Sequence, residues 1–195
     1  VATGYGKITV RVAGAVHIPE IQAHVLGACA STGLQSFTLL DIGGQDTKVV
    51  QVRRGQVKDF LTNDRCAASS GRYLEHMAEI LGISVEELGR YDERPVELNA
   101  TCAIFGETEI IGKIIAGAST EELAAGVNYA VFRRCAPMLR RLPSEVVVMA
   151  GGGALNPALA RIVSRELGVE TVALADPQFN GARGCCAYGR DMGWS

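Results

Sequence analysis

Much that would assign this sequence quickly is missing from it. No apolar run approaches the roughly 18 residues needed to cross a bilayer. The first residues, VATGYGKITV, lack the charged-then-apolar layout of a secretory signal, so a soluble, cytoplasmic protein is expected. There is no basic excess: 19 basic residues stand against 21 acidic ones, for a net charge of −2, which argues against a general nucleic-acid binder. None of the six cysteines (29, 66, 102, 135, 185 and 186) belongs to a Cys-x-x-Cys pair, which argues against a zinc ribbon or a thioredoxin-like motif. Neither a G-x-x-x-x-G-K-[ST] loop nor a G-x-G-x-x-G fingerprint occurs, and no internal repeat or low-complexity linker divides the chain.

What is present is a globular composition. The 195 residues are 48% hydrophobic and 21% charged, enough to bury a core. The 23 glycines exceed the usual share, and they cluster at Gly43-Gly44 and at Gly151-Gly152-Gly153. Clustered glycine marks backbone that bends sharply or lies against a ligand.

The periodicity predicts alternating elements. A short strand is expected at 5–12 and a helix over 19–33, opened by Pro19 and closed by Gly33. FTLLDI (37–42) reads as a buried strand, DTKVVQV (46–52) as its return and VKDFL (57–61) as a third strand, which makes a meander. Helices are expected over 67–82, 84–91, 105–116 and 119–141, the last despite Pro137, with an extended stretch at 95–101. VVVMA (146–150) then reads as a strand running into the triple glycine, followed by a helix (157–168), a strand (169–174) and a helix (181–190). This ordering is α/β.

Three constellations could carry chemistry. In Asp41-Ile-Gly-Gly-Gln-Asp-Thr-Lys48 an acid at a strand end precedes a glycine turn. It offers a carboxylate for Mg²⁺ and backbone N–H groups for phosphate, although an ordinary hairpin would look the same. In Ala150-Gly-Gly-Gly-Ala-Leu-Asn156 a glycine loop joins a strand to a helix, either to carry a nucleotide or simply as a tight turn. Cys66 and Cys102 each stand just before or near a predicted helix start. That position lowers a thiol pKa and suits an anionic cluster, whereas a lone cysteine is by default a small buried apolar group. A four-thiolate iron–sulfur cluster would need both cysteines from two chains. Cys29 and Cys135 read as core residues, Cys185-Cys186 as poor co-ligands, and His17, His24 and His76 as structural.

Taken together and in order, ATGYG (2–6), DIGGQDTK (41–48), NDRCAASSGRYLE (63–75), CAIFGETEII (102–111), GGGALNP (151–157) and QFNGARG (178–184) resemble the ATP-dependent activators of 2-hydroxyacyl-CoA dehydratases, grouped with the ATPase subunits of benzoyl-CoA reductase. The resemblance spans nearly the whole chain, and its two cysteine segments are its most specific part. It implies an actin/hexokinase-like (ribonuclease H-like) ATPase fold and a homodimer holding one [4Fe-4S] cluster through Cys66 and Cys102 of each subunit. It implies Asp41 near Mg²⁺, Gly43, Gly44 and Gln45 as a phosphate loop with Asp41 and Gln45 serving catalysis, and Gly152, Gly153, Asn156 and Gln178 on the adenosine side of ATP. The implied partners are a CoA-ester dehydratase or reductase and an upstream donor such as ferredoxin or flavodoxin, with neither nucleic acid nor membrane. A non-redox ATP-binding module of the sugar-kinase and actin-like superfamily is the alternative. Departures are also visible. The family's D-x-G-S/T first phosphate loop is absent, so the chain reads as a piece lacking most of the N-terminal lobe, and turnover is expected of the full-length protein. On that reading residues 1–36 are a remnant of the first lobe, 37–175 the second lobe with the cluster-bearing helices, and 176–195 a C-terminal helix returning toward the first. Ser69-Ser70 replace a common Gly-Thr, and Cys185-Cys186 replace small apolar residues.

Overall fold

The computed structural model describes residues 1–4, 13–63, 70–99 and 103–193. The strand expected at 5–12 and both Cys66 and Cys102 lie outside them. Five strands form one sheet: β1 (Phe37–Ile42), β2 (Thr47–Arg53), β3 (Gln56–Asn63), β4 (Val146–Ala150) and β5 (Glu170–Ala173), in the order β3-β2-β1-β4-β5. β1, β2 and β3 form the expected antiparallel meander, whereas β1 pairs with β4, and β4 with β5, in parallel. The parallel joints require long crossovers, and helices supply them: α2 (Gly71–Leu81), α3 (Val85–Leu88), α4 (Ala103–Ile115) and α5 (Thr120–Arg141) before β4, then α6 (Pro157–Leu167) before β5. α1 (Glu20–Thr32) precedes the sheet and α7 (Asn180–Asp191) follows it.

Period-two alternation divides the core between the two faces. Leu40, Ile42, Val49, Val147 and Met149 pack with Leu74, Met77, Leu123, Val131 and Leu159 from α2, α5 and α6. Phe37, Leu39, Val50, Val52, Val148 and Ala150 meet Val25 and Ala28 of α1 on the other face. β1 is buried along its whole length, as a central strand covered on both sides must be. Asp41 therefore falls on the α1 side of the sheet, placed there by register.

Local capping agrees with the sequence. Ser119 and Glu122 close a complete capping box at the start of α5, which continues through Pro137, and Ser84 caps α3 by accepting from the Glu87 N–H at 3.1 Å. Residues 95–99 form no strand.

One ion network fastens α6 to the segment after α3. Asp92, only 7% exposed, accepts from Arg161 Nε at 2.7 Å and from Arg165 Nη1 at 2.9 Å. Burial alone would raise its carboxyl pKa, but the hydrogen bonds from Arg161 and Arg165 outweigh it and hold the pKa below the ordinary 3.8. A depressed carboxylate stabilises the fold above its unfolded pKa, and that contribution fades as pH falls through the folded value. Both arginines are nearly half exposed, so the expected effect is modest. Asp92→Asn should cost about 1–2 kcal/mol at pH 7. The gap to the wild type should close as urea-melt stability is followed from pH 5 down past pH 3, and a gap independent of pH would show that the charge contributes nothing.

Candidate functional site

The sheet's central strands end in two glycine turns that lie side by side. After β1 the chain passes through Gly43-Gly44-Gln45-Asp46, closed by a hydrogen bond from the Gly43 N–H to the Asp46 carbonyl at 2.9 Å. After β4 it passes through Gly151, whose φ of +74° belongs to the left-handed region. A Cβ at Gly151 would lie 2.5 Å from Asp41 Oδ1, and one at Gly153 would lie 2.5 Å from the Ile42 Cβ. Both positions thus need glycine, because the second turn is pressed onto the end of β1. The parallel register of Asp41 with Ala150 produces this contact.

The turns open into a cleft of about 740 Å³. Its walls include Asp41, Gly43, Gly44, Gln45, Gly151, Gly152, Asn156 and Gln178, together with Gly71 and Glu75 of α2 and Glu86 of α3. Gly152 and Gln178 are therefore neighbours of the Gly43–Gln45 turn, which lies more than a hundred residues before them in sequence; a Cβ on Gly152 would stand 3.5 Å from Gln178 Nε2. The Gly151 N–H donates to the Pro177 carbonyl at 3.0 Å, which fixes the Gln178 segment against the second turn. Gly153 is buried behind that turn rather than on the cleft wall.

Asn156 borders the cleft but its amide is committed elsewhere. Its Oδ1 accepts from the Leu159 N–H at 3.2 Å as the cap of α6, and its Nδ2 donates to Asn128 Oδ1 at 2.8 Å. Asn128 in turn donates to the Leu88 and Tyr91 carbonyls. This buried chain of amides holds α3, α5 and α6 together, so Asn156 shapes the wall more than it reaches into the space.

The charge around Asp41 comes from residues that motif reading passed over. Lys48 is the cross-strand partner of Asp41, and its Nζ stands 2.7 Å from Asp46 Oδ2 and 3.1 Å from Glu20 Oε1. His24 Nδ1 stands 3.3 Å from Asp41 Oδ2. Burial pushes the Asp41 carboxyl pKa up, and His24 and Lys48 pull partly against that rise. Burial works against the Lys48 charge, but the hydrogen bonds to Asp46 and Glu20 and the nearby Asp41 more than compensate and hold its pKa above 10.5. Two signals in the sequence could have found these groups: Lys48 closes the same hairpin that Asp41 opens, and Glu20 and His24 are four apart on one helix face. The donor set of the cleft, oxygen carboxylates beside the backbone of two glycine turns, suits a phosphate group with a hard cation.

The Gly43–Asp46 turn is also bonded to a helix. The Gly71 N–H donates to the Gly43 carbonyl at 2.8 Å and the Arg72 N–H to the Gly44 carbonyl at 3.3 Å, which ties the first turn of α2 to it. α2 and α4 then meet near their starts. A Cβ on Gly106 would lie 3.7 Å from the Tyr73 ring, and His76 Nε2 is 3.4 Å from Glu107 Oε2. Cys66 precedes α2 and Cys102 precedes α4, but both lie outside the described residues. Among the described residues no group of three or more His, Cys, Asp or Glu side chains could hold a metal ion, and no helix is long and apolar enough to cross a membrane. Cys135 is buried in the core, which pushes its thiol pKa up to about 12.

Comparison with known proteins adds four findings. The family described as the BadF/BadG/BcrA/BcrD ATPase family matches residues 1–189. The structure of the activator of the 2-hydroxyisocaproyl-CoA dehydratase from Clostridium difficile, with bound ADPNP, is 35% identical, with a TM-score of 0.90 over 97% of this chain and 72% of that one. The (R)-2-hydroxyglutaryl-CoA dehydratase component A from Acidaminococcus fermentans is 34% identical, with a TM-score of 0.90 over 97% of this chain and 74% of that one. MreB5 of Spiroplasma citri bound to AMPPNP is similar in fold alone, at 16% identity and a TM-score of 0.61 over 92% of this chain and 61% of that one. The mixed sheet and these neighbours agree with the expected actin/hexokinase-like fold.

Proposed function

The chain belongs to the BadF/BadG/BcrA/BcrD ATPase family, and from that premise we propose that the full-length protein is an ATP-dependent activator, delivering low-potential electrons to a 2-hydroxyacyl-CoA dehydratase or a related CoA-ester reductase. The observation that carries this reading is the single cleft in which the Asp41 strand end, the Gly43–Gln45 turn, the Gly151–Gly152 turn and Gln178 converge. Asp41 would face Mg²⁺, which when bound would neutralise phosphate charge. The Gly43–Gln45 turn would form the phosphate loop, with Gly44 receiving a phosphate oxygen on its backbone N–H while the Gly43 N–H closes the turn, and Gln45, exposed at the tip, would orient the attacking water. Gly152 and Asn156 would form the wall on the adenosine side, backed by the buried Gly153, with Gln178 reaching across from the segment held to Gly151.

Coupling from the nucleotide to a partner has a direct physical route. Any change in the Gly43–Gly44 turn acts on α2 through the two hydrogen bonds to Gly71 and Arg72, and α2 adjoins α4 near the start of each helix. Cys66 and Cys102, on the chain entering those helices, would hold a [4Fe-4S] cluster; the group supplies one-electron transfer when bound. Two thiolates per chain are half of the four such a cluster takes, so the proposal requires a homodimer. α4 would supply contacts for one, since Ile111, Ile114 and Ile115 near its end, and Phe105 near its start, are exposed apolar side chains. The upstream donor would be a ferredoxin or a flavodoxin, in the cytoplasm.

The test is iron content alongside sedimentation of the anaerobically purified full-length protein. A brown dimer with about four irons is expected, and Cys66→Ala or Cys102→Ala should each abolish the iron and loosen the dimer. Cys135→Ala should keep the iron and cost about 1–2 kcal/mol of packing. A colourless protein that still hydrolyses ATP would favour a non-redox ATP-binding module, and a monomer with its full iron would sink the bridging arrangement.

A further inference from the structure

The nucleotide reading leaves unexplained a half-buried histidine against the central carboxylate. We infer that His24 is a positioning residue of the nucleotide site: its ring fixes Asp41, and the first turn of α7, Asn180-Gly181, is the socket that holds the ring. The inference rests on the proposed nucleotide role of the cleft and deepens it.

The geometry is specific to one orientation. Asp41 is held on two sides, Oδ1 against the Gly151 turn and Oδ2 at 3.3 Å from His24 Nδ1. His24 Nε2 points toward Glu20 Oε1 at 3.8 Å. Asn180, fully buried, donates from Nδ2 to the His24 carbonyl at 2.9 Å, with the same nitrogen 3.4 Å from His24 Nδ1. An ionised carboxylate can only accept, so the arrangement that bonds Asp41 Oδ2 puts the proton on His24 Nδ1; Asn180 Nδ2 then bonds the His24 carbonyl, and its 3.4 Å approach to Nδ1 is a packing contact.

The socket is shaped for the ring. A Cβ on Gly181 would stand 3.1 Å from His24 Nε2, so a larger residue there would push the ring by a few tenths of an ångström. Asn180 gives up a hydrogen bond to sit there: its Oδ1 is buried without a partner, a cost that few buried amides carry. A purely structural helix contact would need neither a half-satisfied amide nor a histidine aimed at a carboxylate. Because Asn180 lies two residues after Gln178, the segment that borders the cleft also sets the ring, and through it the carboxylate.

The experiment compares the full-length wild type with His24→Leu, His24→Asn and Gly181→Ala. It measures Mn²⁺ binding in the presence of ADP by electron paramagnetic resonance, MgATP turnover, and melting temperature. Groups that orient a metal-facing ligand typically contribute about 10–100-fold to affinity or activity. His24→Leu should accordingly weaken ADP-dependent Mn²⁺ binding and kcat by about tenfold or more, with KM for ATP nearly unchanged. His24→Asn, whose Nδ2 can take the Nδ1 position, should restore both to within about threefold. Gly181→Ala, a helix-favouring change, should weaken Mn²⁺ binding several-fold without lowering the melting temperature. Wild-type Mn²⁺ affinity in His24→Leu or in Gly181→Ala would overturn the inference, as would equal impairment of His24→Leu and His24→Asn. Failure of the wild type itself to bind Mn²⁺ with ADP would overturn the nucleotide reading instead, and the inference with it.

Discussion

Asp41→Asn in the full-length protein is expected to reduce MgATP turnover by about a thousandfold, equivalent to about 4 kcal/mol of transition-state stabilisation, while the protein stays folded. The two halves of that expectation have separate causes. The carboxylate is 3% exposed, and burial makes its charge costly, as the raised pKa indicates. An isosteric neutral amide removes that cost and keeps the contacts with the Gly151 turn, so the melting temperature should hold or rise. What the amide cannot supply is a negative charge facing a hard cation beside phosphate. Steady-state turnover and a melting curve on the same preparation check both halves. Unchanged turnover would remove Asp41 from the proposed site, and a collapsed fold would show that its charge supports the sheet rather than the chemistry.

The largest expected effect on stability lies at the contact between α1 and α7. A Cβ on Gly184 would be driven into the Ala23 backbone, 2.6 Å from its carbonyl carbon and 2.9 Å from the Gly27 nitrogen. Backbone atoms cannot rotate out of the way, so the two helices must separate. That would lift Val25 and Ala28 from the sheet core they share with Phe37 and Leu39, and displace Asn180 from Gly27. Gly184→Ala should therefore destabilise by about 3–5 kcal/mol and lower the melting temperature by about 10 °C or more, at roughly 2–4 °C per kcal/mol for a domain of this size. Gly112→Ala is the matched control: it is also helical, a Cβ there meets nothing within 4 Å, and it should be neutral or mildly stabilising. A similar melting temperature for the two variants would mean that the helices separate at little cost.

Local chemistry determined a good deal of this protein without its fold. Pro19 and Gly33 bounded α1, Ser119 began α5, and the mostly apolar run Phe37–Ile42 marked a buried strand. Each of these signals acts within a few residues, where capping, φ preference and burial period decide the outcome. The glycine clusters at 43–44 and 151–153 were equally legible as places where backbone comes close to something, though not what it comes close to. Only the tertiary structure decided that. The parallel pairing of β1 with β4 set Gly151 against Asp41, and a strand's sequence does not state which distant strand it will join. Asn156, read as a ligand contact, caps α6 and bonds Asn128, because a buried amide beside a helix start is claimed first by the unpaired backbone N–H. His24, read as structural, stands against Asp41 because Gly27 and Gly184 let α1 and α7 pack backbone to backbone. Such closeness depends on side chains that both helices lack, and no spacing within either helix records it.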